Sequence, residues 1–532
     1  MTEGRRHRWW QRAVIYHIYP RSFQDTDGDG IGDLRGITQR LDYLQWLGVD
    51  AIWLSPFYPS PMADFGYDIS DHCSVDPLFG TLEDFDELLE KAHRLGLRVI
   101  VDYVPNHTSD EHPWFVESRS SRDNPKREWY LWANPKPDGS PPNNWRSVFG
   151  GPAWEWDERT GQYYYHAFHR KQPDLNWRNP EVREAMYGVM RFWLKRGVDG
   201  FRVDALRHLV KDEELRDNPP NPDFREGGPS YEAQLPVYTT DRPEVHRMIS
   251  GMRRVLDGYG DDRVMIGELY LPFDRLVLYY GEGGRGVHLP TNMHLITTPW
   301  SARSLAALVS EYEAALPPYG WPNWVLGNHD NPRVATRIGP EKARAAAVLL
   351  LTLRGTPTMY YGDELGMTDV PVPPHLARDP AGKEAPHLGR DPARTPMQWD
   401  ASPNAGFTTG TPWLPLSSDH RRRNVAVQRP DPHSILSLYR KLLQLRRSEP
   451  ALSIGSYEPL EATSSLLAYA RTHAERRLLV ALNLGDAPAS LPRTLQGRIL
   501  LSTSPRQEGQ PLQPSTQLLP GEALVVEPLG LS

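Results

Sequence analysis

The chain alternates short apolar strands with amphipathic helices from Ala13 to Tyr361, and this alternation most constrains its fold. Ala13–Tyr19 reads as a strand. Ile37, Leu41, Leu44 and Leu47 then recur at helical spacing and stop at Gly48, before a second strand at Ala51–Leu54. Thr81 opens the next helix with Asp84 as its capping partner, and Gly96 closes it. Its apolar stripe is Leu82, Phe85, Leu88, Leu89, Ala92 and Leu95. Arg98–Tyr103 is a buried strand, Pro180–Arg196 a helix and Gly200–Val203 the next strand. Val264–Gly267, Asn292–Leu295, Trp324–Gly327 and Thr356–Tyr361 complete the set. Strands separated by helices imply a parallel α/β fold, most simply a closed (β/α)8 TIM barrel. A doubly wound sheet wants a glycine-rich phosphate loop after an early strand, and none follows Tyr19, Leu54 or Tyr103.

Two stretches break the alternation. Residues 104–175 are rich in Trp, Pro, Asn and Tyr and read as a loop-rich domain inserted after the third strand. Residues 368–416 are Pro-rich and irregular. After a last helix, Ile435–Arg446, short apolar runs separated by turn residues predict a C-terminal antiparallel β-sandwich. The expected organisation is therefore barrel over 1–103, insertion over 104–175, barrel again over 176–453 with the extension 368–416, and a β domain over 454–532. No apolar run is long enough to span a membrane. The basic, aromatic start Met1–Trp10 is followed by no apolar core of a secretory signal. The single Cys73 excludes an intrachain disulfide and a thiolate zinc site, and fits a reducing, cytoplasmic setting. A net charge of −7 argues against nucleic acid as partner. A monomer or weak homo-oligomer is expected.

The functional signal lies at the strand ends. In a parallel barrel these side chains share one mouth. The third strand leads into Asp102-Tyr-Val-Pro-Asn106-His107 and the fourth into Arg202-Val-Asp204-Ala205. The fifth ends in Gly267-Glu268 and the seventh in Asn328-His329-Asp330. One such Asp is ordinarily a helix cap. Several carboxylates at several strand ends, beside an arginine and two histidines, point to a site.

These segments carry a resemblance. DYVPNH (102–107), QPDLNW (172–177), GFRVDA (200–205), GELY (267–270) and NHD (328–330) stand in the order found in α-glucosidases of the α-amylase family, in the oligo-1,6-glucosidase-like branch. AVIYHIYPRSF near the start, GYDISDH (66–72) and RTPMQWD (394–400) belong to the same pattern. Glycosidic cleavage needs two carboxyl groups flanking the bond. The resemblance implies Asp204 as nucleophile, Glu268 as acid/base and Asp330 as the third carboxylate, which binds sugar hydroxyls. Asp204 lies two residues from Arg202, so both point to one side of a strand end, and the guanidinium is expected to hold Asp204 ionised. Glu268 has no cation beside it in sequence, so partial burial is expected to keep its proton. His107 and His329 match hydroxyl-binding histidines, and Tyr67 a stacking floor. Asp68 and Arg390 match the pair that closes the subsite, with Arg394 a rival for the arginine.

Asp25, Asp27, Asp29 and Asp33 fall at positions 1, 3, 5 and 9 of an EF-hand-like loop, with Gly30 at 6 and the Ile31 carbonyl at 7. Position 12 is Gly36, so the loop is not an EF-hand. Four carboxylates in nine residues nonetheless predict a structural cation, and in the related glucosidases this loop binds Ca2+ or Mg2+. The resemblance implies exo-cleavage of short oligosaccharides in a blind pocket. Ala205 matches neither the Val that accompanies α-1,6 activity in relatives nor the Thr that accompanies α-1,4 activity. GELYLP and GVHLP resemble bacterial α-glucosidases that favour short α-1,4 substrates, which implies maltose-sized α-1,4 substrates here, with α-1,6 cleavage and transglucosylation as further capacities. A trehalose synthase-type isomerase and a non-catalytic sugar-binding relative are the alternatives.

Overall fold

The structure, a computed structural model, describes residues 7–225, 227–384, 389–492, 495–504, 508–513 and 515–529. Residues 1–6 of the basic start lie outside that set. Among the described residues the first three strands, β1 (Ile15–Ile18), β2 (Ala51–Leu54) and β3 (Arg98–Tyr103), precede the insertion. The insertion contributes β4 (Trp132–Ala133), β5 (Trp154–Asp157) and β6 (Gln162–Tyr165), an antiparallel sheet in the order β4-β6-β5. Then follow β7 (Gly200–Val203), β8 (Val264–Gly267), β9 (Leu289–Asn292), β10 (Asn323–Val325) and β11 (Thr356–Tyr360). β1, β2, β3 and β7 to β11 close into a parallel barrel.

Most of these elements form where the residues dictate. Thr81 and Asp84 make a reciprocal capping box for the helix Leu82–Arg94. Asn179 caps Pro180–Arg196, and Gly197 ends it in the left-handed region. The sixth barrel strand differs from expectation: it runs over Leu289–Asn292 rather than Asn292–Leu295. Asn292 accepts the His294 N–H at 2.9 Å and so starts the helix His294–Thr297. Pro290, an unusual strand residue, hides the true span.

Strand parity places the site. Ile15, Ala51, Trp53, Ile100, Val264, Ile266 and Leu289 pack together as one cluster inside the barrel. Their neighbours Tyr16, Ile52, Leu54, Val99, Val101, Phe201 and Met265 pack outward against the helices. Asp102 pairs in register with Arg202, and Arg202 with Ile266. With a period of two, Asp102, Arg202, Asp204 and Glu268 therefore share the inward face at the C-terminal rim. Gly200 sits lower on that face, where a Cβ would come 2.2 Å from the Val264 carbonyl oxygen.

The C-terminal strands β12 (Ser456–Ala462), β13 (Leu466–His473), β14 (Arg476–Asn483), β16 (Gly497–Ser502) and β18 (Ala523–Pro528) form an antiparallel sheet. β15 (Ala489–Ser490) and β17 (Gln517–Leu518) make a small ribbon whose Ala489 and Leu518 pack with the outer face of that sheet. The inner face, through Leu467, Tyr469, Leu478 and Val480, joins the main core. Arg471 is fully buried there and donates to the carbonyls of Thr352, Gly455 and Ser456, tying sheet to barrel. No helix among the described residues is long and apolar enough to cross a membrane.

Arg471→Met removes those donors and leaves carbonyls buried without partners, at about 1–3 kcal/mol each. Thermal unfolding should show a Tm lower by many degrees, while kcat measured well below that Tm stays near wild type. Loss of kcat at an unchanged Tm would contradict this division of labour.

Candidate active site

The site is organised around Arg202, a buried guanidinium that touches three carboxylates. Its Nη1 donates to Asp204 Oδ1 at 2.6 Å and to Asp102 Oδ1 at 3.0 Å. Its Nη2 lies 2.9 Å from Glu268 Oε1. Glu268 has no cation beside it in sequence, but Arg202, whose partner on β8 is Ile266, reaches it diagonally across the strand pair. Glu268 Oε2 accepts the Ala205 N–H at 2.9 Å.

Arg202 also does not hold Asp204 ionised alone, because its charge is divided. Burial, with Glu268 and Asp102 close by, pushes the Asp204 carboxyl well above its usual range against the pull of Arg202. Burial pushes Asp102 up to about 6, with Arg202 opposing. Three carboxyls share one cation, and burial raises both Asp204 and Asp102 against its pull, which favours a proton held between those two. Such a group can give up one proton and offer one anionic oxygen at neighbouring positions, which general acid and nucleophilic chemistry both require.

From Arg202 the contacts continue without a break. Asp102 Oδ2 accepts from Trp53 Nε1 and the Tyr67 hydroxyl, each at 3.2 Å. The Tyr67 hydroxyl lies 2.8 Å from His329 Nε2, and the two rings are parallel. His329 Nε2 lies 3.2 Å from Asp330 Oδ2. Asp330 Oδ1 accepts from Arg394 Nη2 at 3.2 Å and Arg390 Nη1 at 3.3 Å. Arg394 Nε donates to the His329 carbonyl at 2.7 Å. Both arginines thus reach the site. Burial, with Arg394, Arg202 and Arg390 nearby, depresses His329 far below its usual range, so it is neutral. His107 is buried between Asn106 and Gln172, and burial lowers it to about 4.

The pair expected between Asp68 and Arg390 does not form. Asp68 turns back into its own loop, accepting from Ser60 Oγ and the N–H groups of Ala63 and Asp64. Arg390 Nη2 instead bonds Asp64 Oδ1 at 2.6 Å. Asp64 Oδ2 accepts from Gln172 Nε2 at 3.1 Å, which links that pair to His107. Asp64 and Gln172 are the site residues that sequence reasoning did not single out. A cavity of about 720 Å³ opens onto Asp204, Glu268, Asp330, Tyr67, His107, His329, Asp64 and Arg390. That is the size of a small-molecule pocket. Its outer wall comes from Phe149 and Phe168 of the insertion, the stretch Gly227–Tyr231, Tyr270 and Asn331.

The acidic loop is also reshaped. Asp25, Asp27 and Asp29 bring carboxylate oxygens within 4.8 Å of one another. Asp33 does not join them. Its Oδ1 caps the helix Leu34–Leu47 through the Gly36 N–H, and its Oδ2 accepts from the N–H and hydroxyl of Thr26. Asp25 is buried, but hydrogen bonds from Thr408 and from the N–H groups of Gly28, Gly30 and Asp27 hold its carboxyl below the usual range. Burial, with Asp27, Asp25 and Asp33 close by, raises Asp29. Ile31 donates its N–H to Asp29 Oδ1. An all-oxygen set of this kind suits a hard divalent cation.

Ala205 lies in the left-handed region, at φ 48 and ψ 33. That conformation aims its N–H at Glu268. Alanine bears about 1–2 kcal/mol of strain there, glycine none, and a β-branched residue more. Chemical denaturation should find Ala205→Gly more stable by about 1 kcal/mol and Ala205→Val less stable than wild type. The reverse order would contradict the strain.

Comparison with known proteins agrees with this geometry. The family described as "Alpha amylase, catalytic domain" matches residues 17–455, and a "Domain of unknown function (DUF3459)" matches 456–526. A "Probable alpha-glucosidase" of Rhizobium meliloti (strain 1021) is 46% identical over 499 residues, covering 91% of this chain and 90% of the relative. An "Oligo-1,6-glucosidase" of Parageobacillus thermoglucosidasius is 41% identical over 527 residues, covering 90% and 91%. The crystal structure of the alpha-glucosyl transfer enzyme XgtA superposes with a TM-score of 0.91 at 44% identity, covering 98% of this chain and 100% of that one.

Proposed function

This chain belongs to the α-amylase family and is a glycoside hydrolase of its α-glucosidase relatives' kind, and from that premise we propose that it is an exo-acting, retaining α-glucosidase of short α-glucosides. The observation that carries the reading is the shared guanidinium, which brings Asp204 and Glu268 to one cation at the floor of a pocket.

In this reading the terminal glucose enters first. Asp64, Arg390 and Asp330 meet the end of the sugar away from the scissile bond, and Tyr67 and His329 lie beneath it. Glu268 gives its proton to the glycosidic oxygen while Asp204 attacks the anomeric carbon, and the aglycone leaves as an alcohol. Water then gives a proton to Glu268 as its oxygen attacks the same carbon, releasing Asp204. Two inversions leave the α configuration. Asp102 acts by sharing Arg202, and not on the sugar.

The likeness of GELYLP and GVHLP to bacterial α-glucosidases supports maltose-sized α-1,4 substrates, with α-1,6 cleavage as a second capacity, in a pocket lined by Ala205 and Gly227–Tyr231. The similarity to a named glucosyl transfer enzyme supports sugar acceptors in place of water.

Incubation with maltose and with isomaltose, followed by proton NMR, tests the whole reading. Free glucose is expected as the product, faster from maltose. Because the reducing-end glucose of either sugar leaves as both anomers, stereochemistry is read with an aryl α-glucoside, where α-glucose is expected first and initial β-glucose would overturn retention; trehalose from maltose would move the reading to an isomerase. Asp204→Asn should lower kcat by several orders of magnitude with an unchanged fold. A variant of near-normal kcat would exclude Asp204 as nucleophile.

A structural Ca2+ or Mg2+ at Asp25, Asp27 and Asp29 is part of the same proposal. Asp27 and Asp29 each engage one oxygen with a backbone N–H, and among the described residues the other has no hydrogen-bond donor and can take a cation. Bound metal stabilises the folded state by mass action. Exhaustive chelation, checked by elemental analysis, should lower Tm and leave the KM for maltose within about twofold. An unchanged Tm would mean that the loop is only a turn.

A further inference from the structure

Arg390 comes from the extension 368–416, where it stands just before the short 3-10 turn Asp391–Ala393. It is buried at the wall of the pocket, beside Asp64 and Asp330. What holds it there is Asp379, eleven residues earlier on the same extension and fully buried. Asp379 Oδ1 accepts Arg390 Nη2 at 2.6 Å, and both its oxygens lie 3.1 Å from Arg390 Nε. Its Oδ2 also accepts the Arg390 backbone N–H at 2.7 Å. Asp391 answers from the other side: its Oδ2 accepts the N–H groups of Arg378 at 2.6 Å and Asp379 at 3.0 Å. The two aspartates form a reciprocal clasp.

A guanidinium has five N–H donors in a fixed plane. Nε–H and one Nη2–H go to Asp379, the other Nη2–H to Asp64, and one Nη1–H to Asp330. Among the described residues one Nη1–H is left without a partner, on a residue that lines the pocket. Rotating the plane would exchange this free donor for one pointing elsewhere. The bidentate contact with Asp379 prevents the rotation, because a planar fork on a carboxylate has one good geometry.

We propose that Asp379 is the positioning residue of the glucose subsite: it sets the plane of Arg390 so that a single donor is presented to the sugar. It touches no substrate itself and acts only through Arg390. The inference rests on the glucosidase reading only in the choice of substrate, since binding of D-glucose can be measured without turnover.

The test is a double-mutant cycle over Asp379→Asn and Arg390→Gln, read by calorimetric binding of D-glucose and by kcat/KM on maltose. Asp379→Asn should weaken glucose binding and lower kcat/KM in parallel, each by about 10–100-fold, with a smaller change in kcat. In the Arg390→Gln background the same substitution should change either quantity by less than about twofold, because the residue it acts through is gone. A merely structural Asp379 would lower Tm, leave glucose binding in the folded variant within twofold of wild type, and add to Arg390→Gln. That result overturns the proposal. Should Asp379→Asn not fold, Asp391→Ala loosens Asp379 without touching Arg390 and should give a weaker loss of the same two quantities. Unaltered binding there also overturns it. Normal glucose binding by wild type without release of glucose from maltose would sink the glucosidase reading and leave the Asp379 result to stand by itself.

Discussion

One buried cation sets the terms for everything around it. Arg202 sits on the inward face of a barrel strand, where water is excluded and an unpaired charge is very costly. It is tolerated because Asp102, Asp204 and Glu268 surround it, and they in turn are tolerated because it is there. The surplus of negative charge favours retention of a proton within the group. Removing any member leaves the others wrongly charged for their surroundings. The barrel supplies what such a cluster needs: neighbouring strands in fixed register, so that Asp102 and Arg202 on the strands and Asp204 and Glu268 just past their ends converge at one rim.

The second layer of the site is built differently. Its members come from segments far apart in the chain: Asp64 after the second strand, Gln172 at the end of the insertion, Arg390 from the extension. They converge through hydrogen bonds between side chains and not through strand register. The floor of the pocket is thus a property of the barrel, and its wall a property of the additions to the barrel.

This division explains what could be read from the residues. Parity along short strands made Asp102, Arg202, Asp204 and Glu268 legible as a group, and caps such as Thr81 and Asn179 marked their helices. Loops have no period. Asp64 and Asp68 flank Tyr67 in a turn where Met62, Phe65 and Gly66 all have positive φ, and such a backbone gives no rule for which carboxylate faces inward. The pairing of Arg390 was misread there for that reason. Asp33 was misread because one carboxylate suits a helix cap and a metal ligand equally. The environment of Glu268 was hidden because its cation lies across a strand pair, 66 residues away in sequence.

The contact between Asp64 and Arg390 spans 326 positions of the chain and joins two parts of the pocket lining. On the exo-acting, retaining reading proposed above, this contact closes the inner end, and a chamber with a single doorway imposes a sequence on traffic. Whatever occupies the inner end is trapped until the outer occupant departs, so the fragment cut off must exit before the fragment retained. On that reading the vacated outer space is open to solvent or to another sugar, and the relative abundance of the two at the doorway decides which one completes the turnover.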